Sequence, residues 1–216
     1  MSANQNREPL APCELTEPVS VPEKDLPRRL FANAHLNAQY PLTFRSLRPV
    51  FDFDKPTGRL STISLLVVHR STSNLSFADT HRVHRDVRHW FGIGYHFWIE
   101  RCGAVLLGRP WNLVGAHAKP YNRCSYGICL AGGDAPPTTL QLRTCGALIT
   151  RLVQSDVDAC WWAFHREVAG SRCPGDSLQL QDLKPHIAPS VKRAVSRFGS
   201  MTAGGALKIN PALWGA

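Results

Sequence analysis

The run Ile63-Ser64-Leu65-Leu66-Val67-Val68-His69 constrains the fold more than any other stretch of this chain. Its aliphatic and β-branched residues do not alternate with polar ones, which suits a strand buried on both faces. The run gives way to polar Arg70-Ser71-Thr72-Ser73-Asn74. His69 therefore stands at the end of the most buried strand, where the backbone holds its side chain stiffly over the sheet edge.

The rest of the chain reads as elements that can cover such a strand. Asp79 to Trp90 has a helical pattern, with Val83 and Val87 on one side and Arg82, Arg85 and Arg88 on the other, which predicts an amphipathic surface helix whose His81, His84 and His89 are solvated. Gly94 to Glu100 and Ala104 to Gly108 flank Cys102-Gly103 and read as a hairpin, with Tyr95 and His96 on opposite faces. Ser125 to Ala131 is a further strand, closed by Gly132-Gly133. Thr138 and Gln141 have capping-box spacing ahead of Leu142, Leu148, Ile149, Leu152 and Val153, the best helix in the sequence. Trp161 to Phe164 reads as a short aromatic strand delivering His165, after which Gly170 and Pro174-Gly175 force a loop. Pro189 to Phe198 reads as a last helix with a basic face.

The 216 residues divide into a proline-rich, partly ordered extension (1–59), one compact domain (60–198) and a loosely held tail (199–216). The first 60 residues hold half of the sixteen prolines, which block regular hydrogen bonding. Order there is expected around Leu30 to Phe53, with Phe51-Asp52-Phe53-Asp54 as a short edge strand. The net charge of +9 is concentrated downstream: residues 61–216 carry seventeen Lys/Arg against nine Asp/Glu. That field suits an anionic partner, whether envelope polymer, membrane surface or nucleic acid. No apolar run is long enough to span a bilayer and the N-terminus lacks the apolar core of a secretory signal, so cytoplasmic synthesis is expected. The seven cysteines then read mostly as reduced core thiols.

Among nine histidines and seven cysteines, the most suggestive local group is His165-Arg-Glu-Val-Ala-Gly-Ser171-Arg-Cys173-Pro-Gly175. A strand end supplies an imidazole, and a Pro/Gly-bent loop can return a thiolate to it. Such borderline-soft donors suit Zn2+, with His69 as the natural third ligand. Spacing alone also allows a hydrogen-bonded structural histidine and a Cys-Pro-Gly turn.

Five blocks extend this reading: Val68-His69-Arg70-Ser71, Gly92-Ile93-Gly94-Tyr95-His96-Phe97, Val114-Gly115-Ala116-His117-Ala118-Lys119-Pro120-Tyr121-Asn122, Ser125-Tyr126-Gly127-Ile128-Cys129-Leu130, and His165 to Gly175. In order and spacing they resemble the zinc N-acetylmuramoyl-L-alanine amidases, the phage endolysin type of the family that includes the peptidoglycan recognition proteins, over residues 60 to 185. The resemblance implies an α+β fold with a central mixed β-sheet flanked by helices. It implies His69, His165 and Cys173 as ligands of Zn2+, and Tyr95 and Ser171 as catalytic residues. Ser171 stands where catalytic members carry lysine or threonine; serine keeps the hydroxyl of the threonine form. His117 and Asn122 fall in a loop that borders the family's substrate groove, where they either contact substrate or hydrogen-bond the loop itself. The remaining cysteines, Cys129 among them, are assigned to packing or turns. The implied activity is hydrolysis of the amide joining N-acetylmuramic acid to L-alanine in peptidoglycan, with action at the host wall after membrane permeabilisation. Alternatives are a cytoplasmic muropeptide-recycling amidase and a non-catalytic protein that binds peptidoglycan or RNA polymerase.

Overall fold

Twelve elements carry the architecture of the computed structural model, which describes residues 42, 44–46, 58, 60, 63–156 and 161–191. In chain order these are β1 (Phe44–Ser46), β2 (Leu65–Arg70), α1 (Phe77–Arg82, running into a π turn, Val83–Val87), β3 (Phe97–Ile99), β4 (Val105–Leu107), β5 (Ser125–Leu130), α2 (Thr139–Asp156), β6 (Trp161–Phe164), α3 (His165–Val168) and α4 (Leu180–Leu183), with short 3-10 turns at Tyr121–Arg123 and Lys184–His186. The strands form one mixed sheet in the order β1-β4-β3-β5-β2-β6. β2 runs parallel to β5 on one side and β6 on the other, β3 is parallel to β5, and β3 with β4 forms the antiparallel hairpin predicted around Cys102-Gly103.

All six residues of β2 are buried, as an unbroken apolar run requires. Leu66 and Val68 enter the larger core with Phe97, Ile128, Leu148 and Phe164; Leu65 and Val67 pack on the opposite face with Ala118, Tyr121 and Ala163. The larger core is closed by α2. Its start is the expected capping box: Gln141 N–H donates to Thr138 Oγ1 and Thr138 N–H to Gln141 Oε1, both at 3.1 Å. The Gln141 amide also donates to the carbonyls of Ile99 and Ala131, tying the helix to the ends of β3 and β5.

Two expectations are corrected. The helix after β2 does not bury Val83 and Val87; Val87 is 70% exposed, and the buried stripe is Phe77, Thr80, His81 and His84. That stripe has helical spacing but mostly polar residues, so an apolar count misses it. His81 and His84 are therefore interior, whereas His89 is exposed. Residues 189–190 form a turn and Val191 is irregular rather than the start of a helix, and residues 192–198 lie outside the described residues, as do Phe51 to Asp54 and the tail from Gly199. From the proline-rich region the structure describes β1, which adds parallel to β4. Gly58 and Leu60 are hydrogen-bonded to Val114 and Asn112.

Gly146, inside α2, lets the segment at His186 pass close by: a Cβ there would lie 2.2 Å from the His186 carbonyl oxygen. Alanine is about 1 kcal/mol better than glycine inside a helix, but here the clash with backbone outweighs that gain. Gly146→Ala is expected to lower the denaturant midpoint, at a cost of roughly 1–3 kcal/mol; a raised midpoint would show that the His186 segment yields freely.

Candidate metal centre

The carboxyl ends of the two neighbouring parallel strands β2 and β6 supply the imidazoles. His69 is the fifth residue of β2, and His165 follows β6 directly as the first residue of α3. Cys173 is brought back by the loop beyond α3. Arg166 laces that loop: its N–H donates to the Cys173 carbonyl at 2.7 Å, and its guanidinium donates to the carbonyls of Gly175 and Leu178 and lies over the Phe164 ring. The Glu167 carboxylate accepts from Phe164 N–H, fixing the step from β6 into α3.

The donor atoms of His69, His165 and Cys173 all lie within 4.8 Å of one another. His69 Nδ1 is 3.8 Å from Cys173 Sγ, and the His69 and His165 rings are 4.5 Å apart. A tetrahedral ion of zinc's size needs about 3.3 Å between nitrogens and about 3.6 Å from nitrogen to sulfur, so the cluster fits one. Burial lowers the pKa of both imidazoles, that of His69 well below the ordinary value, which keeps them in the neutral form that binds metal. Burial raises the Cys173 thiol, and the Arg70 backbone N–H, 3.4 Å from Sγ, opposes that rise.

His69 Nε2 faces away from the cluster and is 3.1 Å from His117 Nδ1. A ligand histidine is oriented by the partner of its other nitrogen, and His117 fills that place. The His117 ring lies directly on β5 because residue 127 has no side chain: a Cβ on Gly127 would lie 2.6 Å from the ring, and one on Gly115 would lie 2.5 Å from it. His96 packs edge-on against His117, accepts from Gly127 N–H and pairs with the Leu113 carbonyl, as a packed residue. Asn122 Oδ1 accepts from the N–H groups of both His117 and Ala118, shaping the loop in which it lies. The structure thus gives His117 and Asn122 contacts within the protein.

Tyr95 is half-buried, with its ring 5.1 Å from that of His69. Burial, followed by the neighbouring Cys129 and Cys173 thiols, raises its pKa well above the ordinary value and keeps the hydroxyl protonated. The irregular segment before β3 that carries Tyr95 is held by backbone bonds from Arg109 N–H to the Tyr95 carbonyl and from Ala116 N–H to the Gly94 carbonyl, and by buried side chains. The His84 and His81 rings accept from Gly94 and Ile93 N–H, while the Arg109 guanidinium donates to the carbonyls of Phe91, Gly92, Ile93 and Val114. Buried backbone polar groups require such partners. Arg109 is 2% exposed and burial brings its pKa down to about 10, so it stays charged at neutral pH.

The Ser171 hydroxyl accepts from Cys173 N–H at 3.1 Å and so braces the ligand loop. It also lines a cavity of about 540 Å³ shared with Cys173, Arg70 and Arg172. Sequence reasoning missed the roles of His81, His84, Arg109 and Arg166, and it placed Cys129 in the packing without placing its thiol beside Tyr95. The glycines at 115 and 127, on either side of His117 in the fold, were the available signal for a ring seated against backbone.

Residues 59–176 match the family described as N-acetylmuramoyl-L-alanine amidase. The endolysin of Escherichia phage T7 is 35% identical over 117 residues, covering 51% of this chain and 76% of the phage protein. The human N-acetylmuramoyl-L-alanine amidase is 34% identical over 122 residues, covering 54% of this chain and 21% of its own length. Among solved structures, the endolysin amidase LysCS of Clostridium intestinale superposes with a TM-score of 0.59 at 25% identity, covering 68% of this chain and 97% of its own. Drosophila PGRP-LB gives 0.56 at 28%, with the same coverage.

His117→Phe keeps a ring on Gly127 but removes the hydrogen bond to His69. It is expected to weaken metal binding about 10–100-fold, read by competition with a chromophoric chelator; unchanged affinity would show that β2 alone orients His69. Burial also holds His84 and His96 down to about 4 from the ordinary 6.5. Between those values the unfolded chain takes up protons that the folded chain refuses, so stability is fully present above about 6.5 and lost as pH falls towards 4. Metal-free protein is expected to lose on the order of 2–3 kcal/mol per histidine between pH 7 and pH 4.5, read as denaturant midpoints, with a shallower fall in His96→Gln.

Proposed function

The chain belongs to the N-acetylmuramoyl-L-alanine amidase family, and from that premise we propose that it is a zinc hydrolase that cuts the amide between N-acetylmuramic acid and L-alanine in peptidoglycan and serves as a phage endolysin in host lysis. The observation that carries the chemistry is the convergence of His69, His165 and Cys173 at the carboxyl ends of adjacent parallel strands. When bound there, zinc lowers the pKa of a coordinated water towards about 7 and polarises a carbonyl.

The chain's own groups supply the rest. Tyr95, kept protonated beside His69, donates a hydrogen bond to the carbonyl oxygen as it gains charge, or passes a proton to the leaving amine. Ser171 accepts from Cys173 N–H through its oxygen, which leaves its own hydroxyl proton for the substrate. His117 and Asn122 set the shape of the 114–122 loop as a wall of the groove. The endolysin assignment is supported by the phage relatives of T7 and T3, of whose lengths the match covers 76% and 85%. In this reading the protein is made in the cytoplasm and reaches the wall once the membrane is opened. No helix among the described residues is long and apolar enough to cross a membrane. The basic excess of the catalytic part draws it to anionic envelope polymers.

Zinc-loaded protein is expected to release new amino-terminal L-alanine from intact sacculi, and Cys173→Ala to lose both metal and activity. Full activity in Cys173→Ala would sink the proposal, and cleavage of soluble muropeptides alone would turn it towards recycling. Tyr95→Phe is expected to keep full metal content while losing roughly 100-fold or more in kcat. Ser171→Ala should cost less than loss of a ligand.

A further inference from the structure

Arg70 follows a metal ligand in sequence and its positive charge favours the Cys173 thiolate, yet its guanidinium has no hydrogen-bonding task in the site as described. Its backbone N–H and carbonyl both face Cys173 Sγ, at 3.4 and 3.7 Å, while the side chain lines the 540 Å³ cavity that also holds Cys173, Ser71, Gly133, Ser171 and Arg172. The residue is only 4% exposed. One guanidinium nitrogen donates to the Ala135 carbonyl, whereas Nε is buried without a hydrogen-bond partner. The ion pairs among the described residues are Arg82–Asp79 and Arg85–Asp86, both on the exposed side of the first helix, so no carboxylate among the described residues lies within pairing distance of Arg70. Asp134 is felt at longer range and its side chain is exposed.

A buried guanidinium with an unpaired Nε is costly unless an anion completes it. Its planar fork matches a carboxylate in two parallel hydrogen bonds. Arg172, Asp134 and Asp176, also on the cavity wall, are all exposed, so the buried charge in this pocket is that of Arg70.

We propose that Arg70 is the specificity-determining residue for a free carboxylate on the peptide side of the scissile amide. This rests on the amidase reading above. Because one cavity holds both Cys173 and Arg70, the carboxylate belongs to the residue next to the L-alanine rather than to the far end of the stem. The site therefore prefers stems in which that second residue keeps its α-carboxylate over stems in which it is amidated.

The test uses zinc-loaded protein and two soluble muropeptides that differ only in carboxylate or carboxamide at the second residue, with calorimetric binding of the matching product dipeptides as a readout independent of turnover. Wild type is expected to favour the carboxylate by about tenfold or more in kcat/KM, mostly through KM. Arg70→Gln is expected to lose that preference, and the dipeptide binding difference with it, while still cutting the carboxamide. Arg70→Lys should restore part of both. Equal handling of the two substrates by wild type overturns the proposal without any variant. So does a preference that survives in Arg70→Gln. Loss of zinc from Arg70→Gln would assign the side chain to support of Cys173 and would equally overturn it. Failure of wild type to cut either substrate would instead remove the amidase reading itself.

Discussion

The position of His69 depends on the pairing of β2 along both of its edges, with β5 on one side and β6 on the other. A strand hydrogen-bonded on both sides and packed on both faces has no freedom left to move its last residues. The ring of His69 is then fixed from behind by His117, and the same sheet fixes His117 because Gly127 lets it rest on bare backbone. β6, the other neighbour of β2, ends beside it and hands over His165. Sheet register thus brings two donors side by side. The loop bearing Cys173 is held separately, by Arg166 and by Arg70 backbone groups.

The polar interior behind this cluster is organised differently from the apolar core under α2. On the α2 side, apolar packing dominates, with the Gln141 amide as a polar tie at the start of the helix. On the other side, the imidazoles of His81 and His84 take up the N–H groups of Ile93 and Gly94 and the Arg109 guanidinium the carbonyls of Phe91 to Ile93, while backbone N–H groups of Ala116 and Arg109 take up those of Gly94 and Tyr95. Such groups are costly to leave unpaired and specific when paired. They place Tyr95 against the His69 ring without a regular element to carry it.

The parts of this design that were legible in the sequence are those with a periodic or local signal. The unbroken run of β2, the β3–β4 hairpin and the Thr138/Gln141 cap each rest on neighbours close in sequence, and each is present in the structure. The His165 to Cys173 loop showed ligand chemistry but not its third partner, which spacing could only suggest. What stayed hidden was long-range. His81 and His84 lie on a helical stripe that reads as polar, so their burial follows only from the segment they serve. β1 is three residues long and pairs in parallel with β4, a partner about sixty residues away that no local pattern announces. Arg70 reads as the polar end of a strand, and only the cavity beside it shows that its charge is enclosed.

One feature of the ligand set reaches beyond chemistry. His69 and Cys173 are 104 residues apart along the chain, and His165 and Cys173 stand at the far end of the loop they close. An ion bridging them would act as a removable cross-link, fastening β2 to a loop more than a hundred residues further along the chain. Closing so long a loop withdraws conformational freedom chiefly from the unfolded chain. The protein would therefore carry its clasp and its reactive centre in the same three side chains, so that a chelating environment would silence it and loosen it together.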